Sequence, residues 1–115
     1  MSNDSIRTRR VAELIKHEIA TILANDIDDK RVHDVVITTV KVTKDLSIAR
    51  VFFSSYDKES LLDIEIGLSK AMGFIRKRLM NSVHLKKLPQ IIFEKDTTSD
   101  NVERLDELFQ QIKGE

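Results

Sequence analysis

The chain has 115 residues, no cysteine, and a formal net charge of zero from nineteen basic and nineteen acidic side chains. That length suits one domain with a core that needs no staple, and the missing cysteines exclude disulfides and thiolate metal sites. Apolar runs of only a few residues fall far short of a membrane span, and Met1-Ser2-Asn3-Asp4-Ser5 lacks the apolar stretch of a signal peptide, so a soluble cytoplasmic protein is expected.

Residues 6 to 25 read as a helix. Val11, Leu14, Ile15, Ile19, Ile22 and Leu23 recur at i, i+3, i+4 spacing. Arg7, Arg9 and Arg10 crowd its start, where the helix dipole disfavours cations. They are either a solvated N-terminus or a phosphate-contact point. His17 stands one turn from Glu13 and reads as a surface residue.

Residues 26 to 34 read as a polar loop with Arg31 and His33 exposed. Its acids invite a calcium loop, but the sixth position from Asp26 is Arg31 rather than glycine and the twelfth is Ile37 rather than glutamate. Residues 35 to 43 are dense in β-branched side chains and read as a strand. Strict alternation would point Val36, Thr38, Val40 and Val42 one way, and Val35, Ile37, Thr39 and Lys41 the other. Lys44-Asp45-Leu46 makes a turn so short that residues 47 to 54 must pair antiparallel with the first strand. Asp57 then reads as an N-cap, with Tyr56 and Leu61 as a hydrophobic staple.

A helix is expected from about Lys58 to Lys70, then a break at Ala71-Met72-Gly73, then a second helical half to about Val83. Leu61, Ile64 and Leu68 carry the stripe before the break; Met72, Ile75, Leu79 and Val83 carry it after. Glycine costs about 1 kcal/mol in a helix relative to alanine, and it adopts non-helical angles cheaply. A new helix N-terminus at Gly73 would offer free N–H groups and a dipole to a phosphate. Arg76, Lys77 and Arg78 follow in what would be its first turn. Between Gly67 and Phe93 lie Lys70, Arg76, Lys77, Arg78, Lys86 and Lys87, with no acid. Such a run is either a solvated helix face or an anion-binding surface. Residues 94 to 115 carry seven acids against three bases, so the neutral chain is sorted into basic and acidic blocks.

Pro89 precedes Gln90-Ile91-Ile92-Phe93-Glu94-Lys95, which reads as a third strand. Residues 100 to 112 read as an acidic amphipathic helix, with Val102, Leu105, Leu108, Phe109 and Ile112 as its stripe and Asp100 with Glu103 as its cap. The expected fold is α+β: a three-stranded sheet with helices on one face, in the order α-β-β-α-kink-α-β-α. One domain is expected over residues 1 to 115, with a core from about 6 to 96.

Enzymatic motifs are absent. His17, His33 and His84 have no metal-ligand spacing, the three glycines form no phosphate loop or dinucleotide fingerprint, and no carboxylate pair predicts acid–base chemistry. No catalytic residue, metal or cofactor is expected. Six aromatics, none in an RNP1-like motif, argue against a sheet that stacks bases in the manner of an RRM.

The order of elements matches the type II KH fold, although a KH domain clamps nucleic acid with a GXXG loop and this chain carries Ala71-Met72-Gly73 instead. An AXG break in a KH-like chain of this length resembles the bacterial ribosome-binding factor A family. So do Arg10-Val11-Ala12 with Ile19 and Ile22, Ile27-x-Asp29-x-Arg31, the stretch from Val42 to Val51, Ala71-x-Gly73-Phe74-Ile75-Arg76 and Leu88-Pro89-x-Ile91-x-Phe93-x-x-Asp96. The resemblance spans residues 7 to 112. The chain departs from the family at Lys30, where proline is usual, and in lacking the charged C-terminal extension of some members.

The resemblance implies a non-enzymatic, cold-linked assembly factor that binds the free 30S small ribosomal subunit and assists its late maturation and 16S rRNA processing. It implies a monomer without membrane contact, with the 5′-terminal helix region of 16S rRNA as a candidate contact. The expected RNA-binding residues are Lys70, Ala71, Gly73, Arg76, Lys77 and Arg78 at the break. Secondary contacts are expected from Arg9, Arg10, Lys41, Lys44, Arg50, Lys86 and Lys87. The rival readings are a protein-interaction module using a sheet edge or the acidic tail, and a small enzyme whose site is assembled from distant residues.

Overall fold

A computed structural model describes residues 3–55 and 60–97, with residues 3–5 described for backbone only. Helix α1 (Asn3–Asn25) leads through a 3-10 turn (Lys30–Val32) to strands β1 (Val36–Val42) and β2 (Ile48–Ser54). Helix α2 (Leu61–Ser82) and strand β3 (Gln90–Lys95) follow. The expected Asp57 cap, the Tyr56–Leu61 staple and the C-terminal helix lie wholly or partly outside the described residues.

β1 and β2 pair antiparallel, with Val40 opposite Val51 and Lys41 opposite Arg50. β3 lies parallel to β2 on its other side, with Ala49 opposite Ile91 and Val51 opposite Phe93. A parallel pair needs a long crossover, which α2 supplies. The hairpin turn is tied at Asp45, whose Oδ1 accepts from Thr43 Oγ1 at 2.8 Å and Ser47 Oγ at 2.7 Å. These bonds hold the Asp45 carboxyl down to about 2. Leu46 takes the left-handed conformation that closes the turn, with φ of 60°.

The inner sheet face carries Val40, Ala49, Val51, Phe53 and Ile91. They form one core with Val11, Ile15, Ile19 and Leu23 of α1 and Ile64, Leu68, Ile75 and Leu79 of α2. Leu14, expected in the α1 stripe, is instead exposed. Strict alternation along β1 also fails. A bulge places Thr38 between the pairs Ile37–Phe53 and Thr39–Phe52, so Ile37 and Val40 are both buried. Thr38 Oγ1 donates to the Phe52 carbonyl at 3.3 Å and to Asp96 Oδ2 at 2.5 Å.

The expected interruption at Ala71-Met72-Gly73 is absent: α2 runs through it for 22 residues. Ile64, Leu68, Ile75 and Leu79 stay on one face from end to end, each about 1% exposed or less. Burying each such side chain contributes about 1.5–3 kcal/mol, more than a single glycine takes away. No new helix N-terminus therefore forms at Gly73.

Candidate nucleic-acid interface

The basic residues of α2 stand in mid-helix, and the 3.6-residue period sorts them. Lys70, Gly73, Phe74 and Lys77 follow each other at i, i+3, i+4 and i+7 on the exposed side, opposite buried Ile75 and Leu79. A Cβ built on Gly73 would meet no atom within 4 Å, so the ridge has a stretch of bare helix backbone flanked by Lys70, Arg76 and Lys77.

The two flanks of this ridge differ in charge. On one side Arg78 reaches Asp26 at the end of α1, with Nη2 at 3.8 Å from Oδ1, and lies over the Phe74 ring at 5.4 Å. Lys70 shares a depression of about 330 Å³ with Asp26, Asp28 and Asp29. Asp29 is held down to about 2, chiefly by the Arg31 guanidinium, with a smaller pull of the same sign from Lys70. Arg31, expected to be exposed in the loop, is instead half-buried, and its Nε and Nη2 donate to the Asp29 carboxylate at 2.9 and 2.6 Å.

On the other side Arg76 is half-buried and its Nη1 donates to the Pro89 carbonyl at 3.2 Å. It stands between two depressions, both also lined by Lys87. The larger, about 610 Å³, opens between α2 and the starts of β2 and β3. The smaller, about 340 Å³, takes in Met80 and Lys86. Lys86 and Lys87 are exposed, so this flank brings Arg76, Lys86 and Lys87 together, with Lys77 next to Arg76 on the ridge and no acid between Gly67 and Phe93 in the sequence.

The remaining expected contacts lie elsewhere. Lys41 and Arg50 project from the outer sheet face, across the sheet from α2, where both lie over Phe52 at 5.6 and 5.4 Å. Arg50 makes a two-pronged bond to Glu94, at 3.0 and 2.6 Å. Lys44 is exposed in the hairpin turn. Arg9 and Arg10 are exposed near the start of α1, roughly 25 Å along its axis from Asp26. The sequence reading named Met72 within the expected break but did not place Asp26, Ser47 or Gln90 near the basic residues of α2; Asp26 was read only as the start of the polar loop and Gln90 only as the start of the third strand.

Among the described residues, no group of three or more His, Cys, Asp or Glu side chains could hold a metal ion. Among them too, no helix is long and apolar enough to cross a membrane.

The family model for ribosome-binding factor A matches residues 7–109. A ribosome-binding factor A from Syntrophus aciditrophicus is 42% identical over 110 residues, covering 95% of this chain and 89% of that one. The crystal structure of ribosome-binding factor A from Thermus thermophilus superposes with a TM-score of 0.67 at 20% identity, covering 76% of this chain and 94% of the other. Thermus thermophilus coordinates fitted into a cryo-EM map of a 30S complex of that factor give a TM-score of 0.60 at 21% identity, covering 76% and 92%. These structural likenesses are of fold, the KH-like α+β arrangement expected from the order of elements. With the family model spanning most of its length, this chain belongs to the ribosome-binding factor A family.

Proposed function

We propose that this protein binds the free 30S ribosomal subunit in the cytoplasm and assists its late maturation, including 16S rRNA processing, without catalysing a reaction itself. The carrying observation is the exposed ridge of α2: Lys70, bare Gly73 and Lys77, flanked by Arg76 with Lys86 and Lys87. Family membership supports the ribosomal partner, as does the 30S complex of the Thermus thermophilus relative. The ridge suits RNA backbone rather than base sequence, because it presents cations and bare main chain on a convex helix. Phosphate contact here comes from side-chain charge and not from a helix terminus.

Lys70 and Arg78 face local acids, so the weight of contact falls on Arg76, Lys77, Lys86 and Lys87. Four phosphate contacts would give a slope of log affinity against log salt of about −3 to −4. The 5′-terminal helix region of 16S rRNA is the candidate site, and a role in growth in the cold belongs to the same proposal.

The test is sedimentation of tagged protein in cell lysate through sucrose gradients at low and moderate salt. Co-migration with free small subunits but not joined ribosomes, lost as salt rises, is the expected result. Protein remaining at the top of the gradient at both salts overturns the proposal.

A further inference from the structure

We propose that the C-terminal segment, residues 98–115, docks on the exposed seam of α2 and competes there with RNA. The docking stands on its own observations, and the competition rests on the RNA-binding proposal above. Along α2, Leu62, Ile66, Ser69 and Gly73 step by four, three and four residues, the spacing of a coiled-coil seam. All four are exposed, Leu62 at 66% and Ile66 at 39%, and neither aliphatic side chain belongs to the core. The seam changes along its length. Its first half is aliphatic and its second half is small. A Cβ on Gly73 would meet nothing within 4 Å, so a large side chain can rest against helix backbone there.

The occupant follows from the sequence and from where the described chain stops. Residues 98–115 lie outside the described residues, but Val102, Leu105, Phe109 and Ile112 step by three, four and three, the matching seam pattern. The described chain stops at Thr97, two residues past β3. There Lys95 Nζ lies 3.5 Å from Oε1 of Glu65, the residue before Ile66. The five steps from Thr97 to Val102 span up to about 17 Å, enough to bring Val102 beside Ile66. A helix that starts there and covers Gly73 runs parallel to α2. Like positions face each other in a parallel pair, which sets Val102 against Ile66, Leu105 against Ser69 and Phe109 against bare Gly73. The bulkiest side chain of the stripe thus meets the least obstructed backbone. Charge agrees with this pairing. Residues 98–115 carry five acids against two bases, while α2 from Ser69 to Ser82 carries Lys70, Arg76, Lys77 and Arg78 and no acid. The segment's tether also gives it a high effective concentration that a second copy in solution lacks. Once docked, it covers Gly73 and places acids beside the ridge that RNA would contact.

The chain has no cysteine, so one nitroxide can be placed on the full chain through Gln111→Cys, beside the stripe rather than in it. The expected NMR result is broadening of the Ser69, Gly73 and Lys77 amide signals, with those of Lys41 and Arg50 across the sheet unaffected. Phe109→Asn in the labelled chain should abolish the broadening while the β2 amide signals stay in place. Without the nitroxide, Phe109→Asn should bind a short blunt RNA duplex about fivefold more tightly than the parent chain, as release from a docked fraction of about 80% requires. Unbroadened α2 signals overturn the docking. Equal broadening in a mixture of nitroxide-bearing and isotope-labelled molecules overturns it in favour of a second copy. Broadening within one molecule, with the same RNA affinity before and after Phe109→Asn, overturns the competition. Broadening in a chain that binds no RNA in either form upholds the docking and overturns the RNA-binding proposal instead.

Discussion

A Cβ placed on Gly67 would lie 2.9 Å from Cγ1 of Val32, which is fully buried between the 3-10 turn and α2. The missing side chain is what lets the α1–β1 connection ride against the helix and hold Asp26 and Asp29 beside the basic ridge. Gly67→Ala gains about 1 kcal/mol of helix propensity but overpacks a site with no room, at about 1–3 kcal/mol. A net loss on the order of 1 kcal/mol is expected, read as a lower urea midpoint. Unchanged or raised stability would mean that the turn moves away freely.

Gly73 gives the opposite expectation. Its φ is not positive and a Cβ there meets nothing within 4 Å, so Gly73→Ala should stabilise the protein by about 1 kcal/mol. If RNA backbone approaches the bare helix, the same change weakens subunit association in gradients. A variant more stable yet binding less well separates the two roles of this glycine. Association unchanged would remove bare backbone from the proposed interface.

These two glycines also measure what was legible in the sequence. Each lay in a helical pattern, and glycine's local cost suggested a break at Gly73. The burial that outweighs it comes from Ile75 and Leu79 packing on the sheet, a tertiary term that no local window holds. β3 was legible to its ends because Pro89 stops the preceding segment and an apolar run follows. The β1 bulge was not, because Thr38 is anchored by Phe52 and Asp96, distant in sequence. The basic block was readable as a list, but not its division by the Asp26–Arg78 pair, nor the placing of Arg50 and Lys41 across the sheet.

That division makes a comparison of charge reversals informative. Arg76→Glu with Lys77→Glu should keep the fold, checked by circular dichroism, and abolish subunit association at moderate salt. In a purified RNA assay the salt slope should shrink by about 2. Lys41→Glu, on the far face of the sheet from α2, should have a much smaller effect. Equal effects from both would mean that RNA wraps the sheet, and no effect from the double variant would remove the ridge from the mechanism.

Acid stability follows from two carboxylates. Asp29 is held down to about 2 by Arg31, and Asp45 to about 2 by Ser47 and Thr43, both from an ordinary 3.8. A carboxylate whose folded value is depressed stabilises the fold above its unfolded value and loses that contribution as pH falls through the folded one. Stability should therefore decline between about pH 4 and pH 2. The Asp29→Asn, Asp45→Asn double variant should show a flatter profile across that window, measured by urea midpoints. An identical slope in both proteins would place the acid-sensitive groups elsewhere.

The Asp26–Arg78 pair sets the last expectation. Its side chains are 30% and 52% exposed, so the pair at 3.8 Å adds little to stability, on the order of 0.2–1 kcal/mol. Its effect on binding is larger in kind. A phosphate approaching this flank must displace a carboxylate already facing Arg78, while among the described residues no acid lines the depressions on the Arg76 flank. Asp26→Asn should leave the urea midpoint nearly unchanged and raise affinity for duplex RNA by up to about fivefold at low salt, steepening the salt slope by about 1. Asp34→Asn removes the same charge from the 3-10 turn's far side, where Asp34 lines a different depression with Ser55 and Asp63. It should give a smaller change. If both substitutions raise affinity equally, only net charge matters. If Asp26→Asn alone does so, the acidic end of α1 restricts which side of the ridge takes RNA, and a chain of zero net charge keeps a directional basic surface.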